Sequence, residues 1–152
     1  MPRVHPVSVV HVADVPAPPD EVWASIADPT LRVAWMTELQ RVDAPPGPVE
    51  VGDRFNGQSS ILLHDFIGAS HVTEAEPERV LEEDVVIGAR FVSRWEITRT
   101  STGSSVHHTI DVQFPGGPFS PIERFVLRRR LLQMQKASLR NLAKRFVPVS
   151  RG

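Results

Sequence analysis

The sequence predicts an α+β domain in which a seven-stranded antiparallel sheet is covered by one long C-terminal helix. Three observations lead to this prediction. Apolar and β-branched runs of strand length occupy residues 7–15 and recur from 39 to 114. The breaks between the later runs are short, which favours hairpins and therefore an antiparallel meander. The last part of the chain carries a helical apolar period instead.

Composition excludes several classes of protein. The 152 residues are 41% hydrophobic and 23% charged, which is ordinary for a globular chain, and none is cysteine. A disulfide framework, a thiolate zinc site and a cysteine nucleophile are therefore excluded. The length fits one domain over residues 1–152. No run approaches the ~20 apolar residues of a membrane span, and the first residues lack a signal peptide's apolar run. We therefore expect a cytoplasmic protein without stable membrane insertion.

The elements before residue 40 are one strand and two short helical pieces. Residues 7–15 read as a strand that ends at a proline-rich segment. Asp20 is the predicted N-cap of a short helix over 21–28. Pro29 ends that helix, and residues 31–39 predict a second short helical piece.

Six further strands are expected after this helical segment. Proline, glycine and serine clusters separate them. Their predicted ranges are 39–44, 52–62, 64–76, 79–88, 90–100 and 105–114.

Residues 120–147 form the longest periodic element. Half of the predicted helix is apolar, and the other half carries the basic residues Arg129, Arg130, Lys136, Arg140 and Lys144. Residues 122–152 hold nine Lys and Arg residues against the single acid Glu123. A nucleic-acid surface would need this helix to be exposed, but its apolar half requires burial against the sheet. We therefore interpret the basic segment as the outer face of a packed helix and expect no nucleic-acid partner.

A curved sheet that packs against one helix encloses space that side chains do not fill. Such a space is where a ligand would bind. The useful question is then which polar residues face it.

Five segments of the chain carry a resemblance to a known superfamily. They are Val15–Trp23 with Asp28-Pro29, Val51–Phe55, Val72–Val80, Trp95–Ile97 and Ser138–Leu142. These segments and the order of elements resemble the START-like (SRPBCC, helix-grip) superfamily, and most closely its bacterial polyketide cyclase/dehydrase-like branch. The resemblance implies a helix-grip fold, in which seven antiparallel strands wrap around the C-terminal helix and two short helices lie between strands 1 and 2.

The resemblance implies two classes of function. The first is binding of a hydrophobic small molecule, such as a lipid, polyketide or aromatic metabolite, between the sheet and the helix. The alternative is a polyketide aromatase/cyclase-dehydratase that uses polar cavity residues for acid/base aldol cyclisation. Catalytic members are expected to carry inward Arg, Tyr, His or acidic groups, and this chain has no tyrosine. We therefore favour binding over catalysis.

Alternation and helical spacing select the candidate ligand contacts. On the sixth strand Phe91, Ser93, Trp95 and Ile97 form the helix-facing set. On the terminal helix the polar Arg128 and Gln135 lie within the apolar arc, where each needs a partner or a ligand. Arg128 could instead reach solvent near the helix start, and the tryptophans could be plain core. The predicted ligand-binding residues are Trp35, Phe55, Phe91, Trp95, Arg128, Leu131, Gln135 and Leu142.

Two histidines are the candidate catalytic residues. Alternation on the last strand turns His108 inward with Val106, Ile110, Val112 and Phe114, and His11 belongs to the more apolar set of the first strand. The resemblance implies that these strands pair, so His11 and His108 are expected to face each other across the cavity. There they could act as general acid and base. An inward histidine satisfied by backbone or water is the alternative. The faces of His64 and His71 stay undecided.

The remaining patterns give no support for a metal or a cofactor. The chain has no HExxH or His-x-His pair, no phosphate-binding glycine loop and no GxSxG elbow. The acidic run Glu82-Glu83-Asp84 is interpreted as a solvated strand edge, because neighbours on a strand point to opposite faces. An exposed sheet face or edge leaves room for a homodimer.

Overall fold

The computed structural model describes residues 7–61, 64–87, 89–113 and 121–147, without the side chains of Ile61, His64, Ala89, Pro121, Glu123 and Arg124. Seven strands make one sheet. They are β1 (Val7–Val15), β2 (Leu39–Asp43), β3 (Arg54–Ile61), β4 (His64–Glu76), β5 (Val80–Ile87), β6 (Ala89–Thr100) and β7 (Gly103–Gln113). The helices are α1 (Pro19–Ala27), a 3-10 helix (Pro29–Ala34) and α2 (Pro121–Lys144).

The strand order is β1-β7-β6-β5-β4-β3-β2, and every neighbouring pair is antiparallel. Strands β2 to β7 form the predicted meander. The first strand joins the last one, with His11 opposite His108 in the register. The predicted fold class is therefore confirmed, with strand ends within about two residues of the expected ones. The predicted inward Phe114 lies outside the described residues.

One face of the sheet packs against the helices and holds the core. Val72, Leu81, Val106 and Val112 are fully buried on this face, and Trp95 is 2% exposed. Alternation decides which residues join them, because the side chains of a strand point to opposite faces in turn. On β4 the inward set includes Gly68, Ser70 and Val72, so the adjacent His71 lies on the outer face. The side chain of His64 lies outside the described residues.

The start of α1 differs from the predicted one. The helix begins at Pro19 with Pro18 as its N-cap, and no side chain caps it. Asp20 therefore lies in the first turn rather than at the cap. Proline suits the first helical position, because it has no N–H that would need a partner there. An acid in the first turn still interacts favourably with the positive end of the helix dipole.

The predicted second helical piece over 31–39 is a 3-10 helix that begins earlier and ends at Ala34. Asp28 caps it, since its carboxylate accepts hydrogen bonds from the backbone N–H and the hydroxyl of Thr30 at 2.9 and 2.6 Å. Pro29 thus starts this helix as well as ending α1. Leu39 belongs to β2 because its backbone pairs with Ser59 of β3.

Helix α2 packs its apolar side against β1 and the helical segment. Leu139 and Leu142 are buried in the main core, and Leu131 packs with Val9 and Val112 in a second cluster. Near its C-terminal end, the Asn141 amide donates to the carbonyl of Trp35 at 3.3 Å. Among the described residues no helix is both long enough and apolar enough to cross a membrane.

Gly103, at the start of β7, occupies a position that excludes a side chain. Its φ is +147°, and a Cβ there would lie 2.4 Å from the Val15 carbonyl oxygen. Gly103→Ala should therefore destabilise the protein by about 3 kcal/mol or more, because backbone rather than a flexible side chain is in the way. Urea unfolding measures this free energy. Gly52→Ala is the control, since Gly52 also has positive φ (+94°) but open space around it. A cost of about 1 kcal/mol is expected there, and equal costs for both variants would contradict the clash.

Candidate functional site

A cavity of about 130 Å³ lies between the inner face of the sheet and α2. Most of its wall is aliphatic, aromatic or glycine, and strands of the sheet, α2 and the helical segment contribute to it. The lining residues are Arg32, Met36, Glu38, Leu39, Val42, Phe55, Gly57, Ser59, Gly68, Ser70, Glu83, Val85, Ile87, Phe91, Ser93, Trp95, His108, Ile110, Leu131 and Met134.

A buried ion pair forms the most polar part of the cavity wall. The guanidinium of Arg32 donates from both terminal nitrogens to the two carboxylate oxygens of Glu83, at 2.8 and 2.5 Å. Arg32 is 4% exposed and Glu83 is 1% exposed. The third nitrogen of Arg32, Nε, donates to the Ile26 carbonyl at 2.8 Å. This pair joins the 3-10 helix to the middle of β5.

The interpretation of Glu82-Glu83-Asp84 as a solvated edge is wrong for Glu83. The two neighbouring residues do lie on the outer face, where Glu82 accepts a hydrogen bond from Arg94 and Asp84 accepts one from Arg90. Glu83 lies on the inner face because it alternates with the inward Leu81 and Val85. That period was present in the sequence. The partner was not foreseeable, since Arg32 comes from a 3-10 helix without a clear apolar face.

Two aromatic rings lie close to the guanidinium of Arg32. Its central carbon lies 5.0 Å from the ring centre of Trp95 and 5.6 Å from that of Phe55. Cations interact favourably with aromatic faces at such distances, and more strongly where water is excluded. The charge of Arg32 is therefore matched by the Glu83 carboxylate and by the faces of two aromatic rings.

His108 is the centre of a second polar group. Its ring stacks on Trp95 at 4.5 Å between centres, and its Nε2 lies 2.8 Å from the Ser93 hydroxyl. On the other side, the Gln135 amide nitrogen lies 3.3 Å from Nδ1. Burial lowers the pKa of His108 to about 3, and the Arg32 charge acts in the same direction. His108 is thus a neutral histidine at physiological pH.

His11 and His108 are neighbours within the sheet rather than partners across the cavity. Their Cα atoms are paired in the β1–β7 register, which puts both side chains on the same face. His11 is not among the residues that line the cavity. Partial burial lowers its pKa, and the Lys136 charge adds to the effect. A catalytic role for His11 and His108 stays a prediction. Of the two, only His108 lines the cavity and could contact a ligand there.

Glu38 is a cavity carboxyl that the sequence did not single out. Its Oε2 accepts hydrogen bonds from the hydroxyls of Thr37 and Ser138, at 3.1 and 3.3 Å. Burial raises the pKa of Glu38, although the two hydroxyls oppose this shift. Unlike Glu83, it has no cationic partner among the ion pairs of the described residues. Glu38 therefore holds a proton more readily than an ordinary surface carboxyl.

Apart from Arg128, the structure separates the predicted ligand contacts into three groups. Phe55, Phe91, Trp95 and Leu131 line the cavity, as does His108. Gln135 is buried behind His108 and touches it from α2. Trp35 and Leu142 are packed in the core.

Arg128 is the predicted contact whose placement needs correction. Its side chain is exposed rather than turned toward the sheet. It lies near the start of α2, where a long side chain reaches water at little cost. The apolar arc therefore gave the wrong orientation for Arg128, although the adjacent Leu127 does pack against the cluster of Val9, Val112 and Leu131.

Several lining residues gave no signal in the sequence. Met36 and Glu38 follow the 3-10 helix, where no regular period indicates a face. Met134 lies on the predicted apolar arc but was not distinguished from core. Within the described part of the chain, no group of three or more His, Asp or Glu side chains is arranged to hold a metal ion.

Comparison with known proteins assigns the family. The family profile described as "Polyketide cyclase / dehydrase and lipid transport" matches residues 6–147. The chain belongs to this family. The predicted superfamily and branch are thereby confirmed. A sequence search of curated proteins finds no match to this chain.

Several solved structures share the fold of this chain at low sequence identity. The aromatase/cyclase Zhui from Streptomyces sp. R1128 has a TM-score of 0.77 at 18% identity, covering 97% of this chain and 99% of its own. A protein from Thermus thermophilus has a TM-score of 0.75 at 14% identity, with coverage of 93% and 97%. A protein from Chromobacterium violaceum has a TM-score of 0.74 at 13% identity, with coverage of 93% and 98%.

Removal of one partner of the buried ion pair should be much more costly than removal of both. Arg32→Met leaves the Glu83 carboxylate buried without its cation, so we expect a loss of about 3–5 kcal/mol in unfolding free energy. The double variant Arg32→Met/Glu83→Leu should recover most of this loss, because no charge remains buried. Urea denaturation of the unsubstituted protein and both variants measures the difference.

The exposed pair Arg41–Asp43 provides the control. Its side chains are 71% and 65% exposed, and the nitrogen–oxygen distance is 3.1 Å. Arg41→Met should cost less than about 1 kcal/mol. A similar small cost for Arg32→Met would show that Glu83 does not depend on Arg32.

Proposed function

We propose that the protein binds a hydrophobic small molecule, of the lipid, polyketide or aromatic metabolite class, in the cavity between the sheet and α2. The observation that carries the proposal is a cavity with a mostly apolar wall, in which the two buried charges already satisfy each other. A cavity of this kind gains free energy by exchanging water for apolar ligand surface.

The size of the cavity fits a compact apolar group. An aliphatic and aromatic cavity of about 150 Å³ is enough to bind benzene in a protein interior. Here the volume is about 130 Å³. Met36 and Met134 belong to the wall, and methionine side chains adapt readily because they are unbranched and have three rotatable bonds. The cavity thus suits one ring or a short chain segment, with adjustment at the methionines for a larger one.

The Arg32–Glu83 pair supports an uncharged ligand. Each group has its full charge partner, and the guanidinium also has the Ile26 carbonyl and two aromatic faces. A charged ligand would have to break this pair or enter without a counter-charge, and both are costly in a buried site. An apolar or neutral polar molecule meets no such cost.

A cavity-filling substitution tests the proposal. Val85 lines the cavity, whereas the next residue, Val86, is 54% exposed on the outer face of β5. Val85→Phe should occupy the ligand space and weaken binding of 1-naphthol by about tenfold or more. Isothermal titration calorimetry measures the dissociation constant.

Val86→Phe is the matched control, with the same change on the same strand. It should bind 1-naphthol like the unsubstituted protein. Thermal melts by circular dichroism establish that both variants are folded. Equal affinities of the Val85 and Val86 variants would place the ligand elsewhere, and absence of binding by the unsubstituted protein to 1-naphthol and to extracted lipids would contradict the proposal.

An aromatase/cyclase-type reaction is the second candidate function, and the environment of Glu38 favours it. Its carboxyl lines the cavity, and burial raises its pKa. A carboxylate there would remove a proton from carbon between two ketones, and the enolate would attack a further carbonyl carbon. The carboxyl would then return the proton to the new alkoxide, and water would leave in a later step. General acid/base groups contribute about 10² to 10⁴ in rate.

Glu38→Gln separates this activity from binding. The amide keeps the shape but exchanges no proton, so ring closure of a synthetic aryl triketone should slow by about 100-fold or more, while affinity stays unchanged. Mass spectrometry follows closure as the loss of one water. The control is Glu50→Gln, since Glu50 is exposed and lies outside the cavity. Closure at the uncatalysed rate with the unsubstituted protein, or at an unchanged rate with the Glu38 variant, would overturn the role.

A further inference from the structure

The orientation of the Gln135 amide is set by backbone carbonyl oxygens, mainly that of His108, and it leaves the amide oxygen Oε1 buried without a partner among the described residues. Its Nε2 lies 2.8 Å from the His108 oxygen and 3.5 Å from the Val9 oxygen. The reverse orientation would place the amide oxygen against two acceptors, which repel it. Gln135 is 2% exposed, so water cannot readily relieve such a repulsion. The amide therefore presents its N–H groups to β1 and β7.

This orientation determines where the His108 ring carries its proton. The same Gln135 Nε2 lies 3.3 Å from His108 Nδ1. The two hydrogens of this amide are directed at the two carbonyl oxygens, and an amide nitrogen does not accept a hydrogen bond, so a proton on Nδ1 would face no acceptor there. The ring proton of the neutral histidine is then on Nε2. A proton on Nδ1 would be a buried donor without an acceptor.

The Ser93 hydroxyl consequently has its hydrogen free for a ligand. His108 Nε2 is 2.8 Å from Ser93 Oγ, and with the proton on Nε2 the serine oxygen is the acceptor. No second hydrogen bond of this hydroxyl is found within the described ranges. Ser93 is part of the cavity wall. The network Gln135–His108–Ser93 thus ends in a hydroxyl donor at the cavity.

Trp95 provides a second, independent observation. Its indole N–H is buried and has no acceptor among the described residues, although Trp95 is 2% exposed and lines the cavity. Ser93 and Trp95 are two residues apart on the same face of β6. An unsatisfied buried donor costs free energy that an acceptor atom of a ligand would recover.

From these contacts we infer that Ser93 is a specificity-determining residue, whose hydroxyl donates a hydrogen bond to an acceptor oxygen of the bound apolar molecule. His108 and Gln135 are its positioning residues, because they make the serine a donor rather than an acceptor toward the cavity. The ligand class is an uncharged molecule with a carbonyl or ether oxygen. This inference rests on the proposed binding function and specifies its ligand.

A pair of isosteric ligands tests the inference. Acetophenone and α-methylstyrene have the same shape, but only the first carries an acceptor oxygen. The informative quantity is the ratio of the two affinities and its change on substitution, because the ketone also loses its hydrogen bonds to water on binding. Ser93→Ala should weaken acetophenone binding about three- to tenfold, the worth of one neutral hydrogen bond, and leave α-methylstyrene binding unchanged. NMR titration measures both constants in each protein.

The outcomes distinguish this inference from the proposed function. If Ser93→Ala leaves acetophenone binding unchanged, or weakens the binding of both molecules alike, the donor role of Ser93 is wrong while the binding function stands. If neither molecule binds to the unsubstituted protein, the binding function fails, and the inference fails with it. Trp95→Phe gives a second readout, since it removes the indole N–H and keeps an aromatic ring. It should weaken acetophenone binding more than α-methylstyrene binding.

The positioning role has its own measurement. The ¹⁵N shifts of histidine-labelled protein should show His108 with a protonated Nε2 and an unprotonated Nδ1. Gln135→Met keeps the length of the side chain but not the donor. It should mix the two tautomers and weaken acetophenone binding relative to α-methylstyrene binding. A purely structural role would weaken both ligands equally, and a proton on Nδ1 in the unsubstituted protein would overturn the network.

Discussion

The buried pair of Arg32 and Glu83 is the interaction on which the arrangement of the cavity depends. Neither charge can stay in an apolar interior without the other, so the 3-10 helix must lie over the middle of β5. That placement brings the guanidinium against the rings of Phe55 and Trp95 and fixes the following residues, Met36 and Glu38, at the cavity. A short helix with few intrinsic stabilising contacts is thereby held in one position.

The polar groups around the cavity differ in how completely they are satisfied, and this difference determines the chemistry open to a ligand. Arg32 and Glu83 are occupied by each other, and His108 is held neutral between Gln135 and Ser93. Among the described residues, the Ser93 hydroxyl hydrogen, the Trp95 indole N–H and the Gln135 amide oxygen are left without a partner. The proposed ligand, an apolar molecule with an acceptor oxygen, would match the two donors and bring no charge into this interior.

Much of the fold could be predicted from the sequence, because the spacing of apolar residues shows which face of a strand or helix is buried. Alternation placed Ser93, Trp95 and His108 on the inner face, and the helical period of α2 found Gln135. The same rule applied to residues 81–85 would have turned Glu83 inward, had charge not been taken as a sign of solvent. Arg32 and Glu38 could not be found in this way. They belong to a 3-10 helix and the segment after it, and their positions result from contacts distant in the sequence.

In the proposed function, an apolar molecule occupies the cavity while the Arg32–Glu83 pair stays intact. A crystal structure of the protein as purified, combined with native mass spectrometry of the same sample, tests it most directly. We expect density for a neutral molecule between Phe55, Phe91 and Leu131, with its mass recovered after denaturation and both Arg32–Glu83 hydrogen bonds retained. A bound anion or cation that separates Arg32 from Glu83, or a water-filled cavity in protein that carries its ligand on another surface, would contradict it.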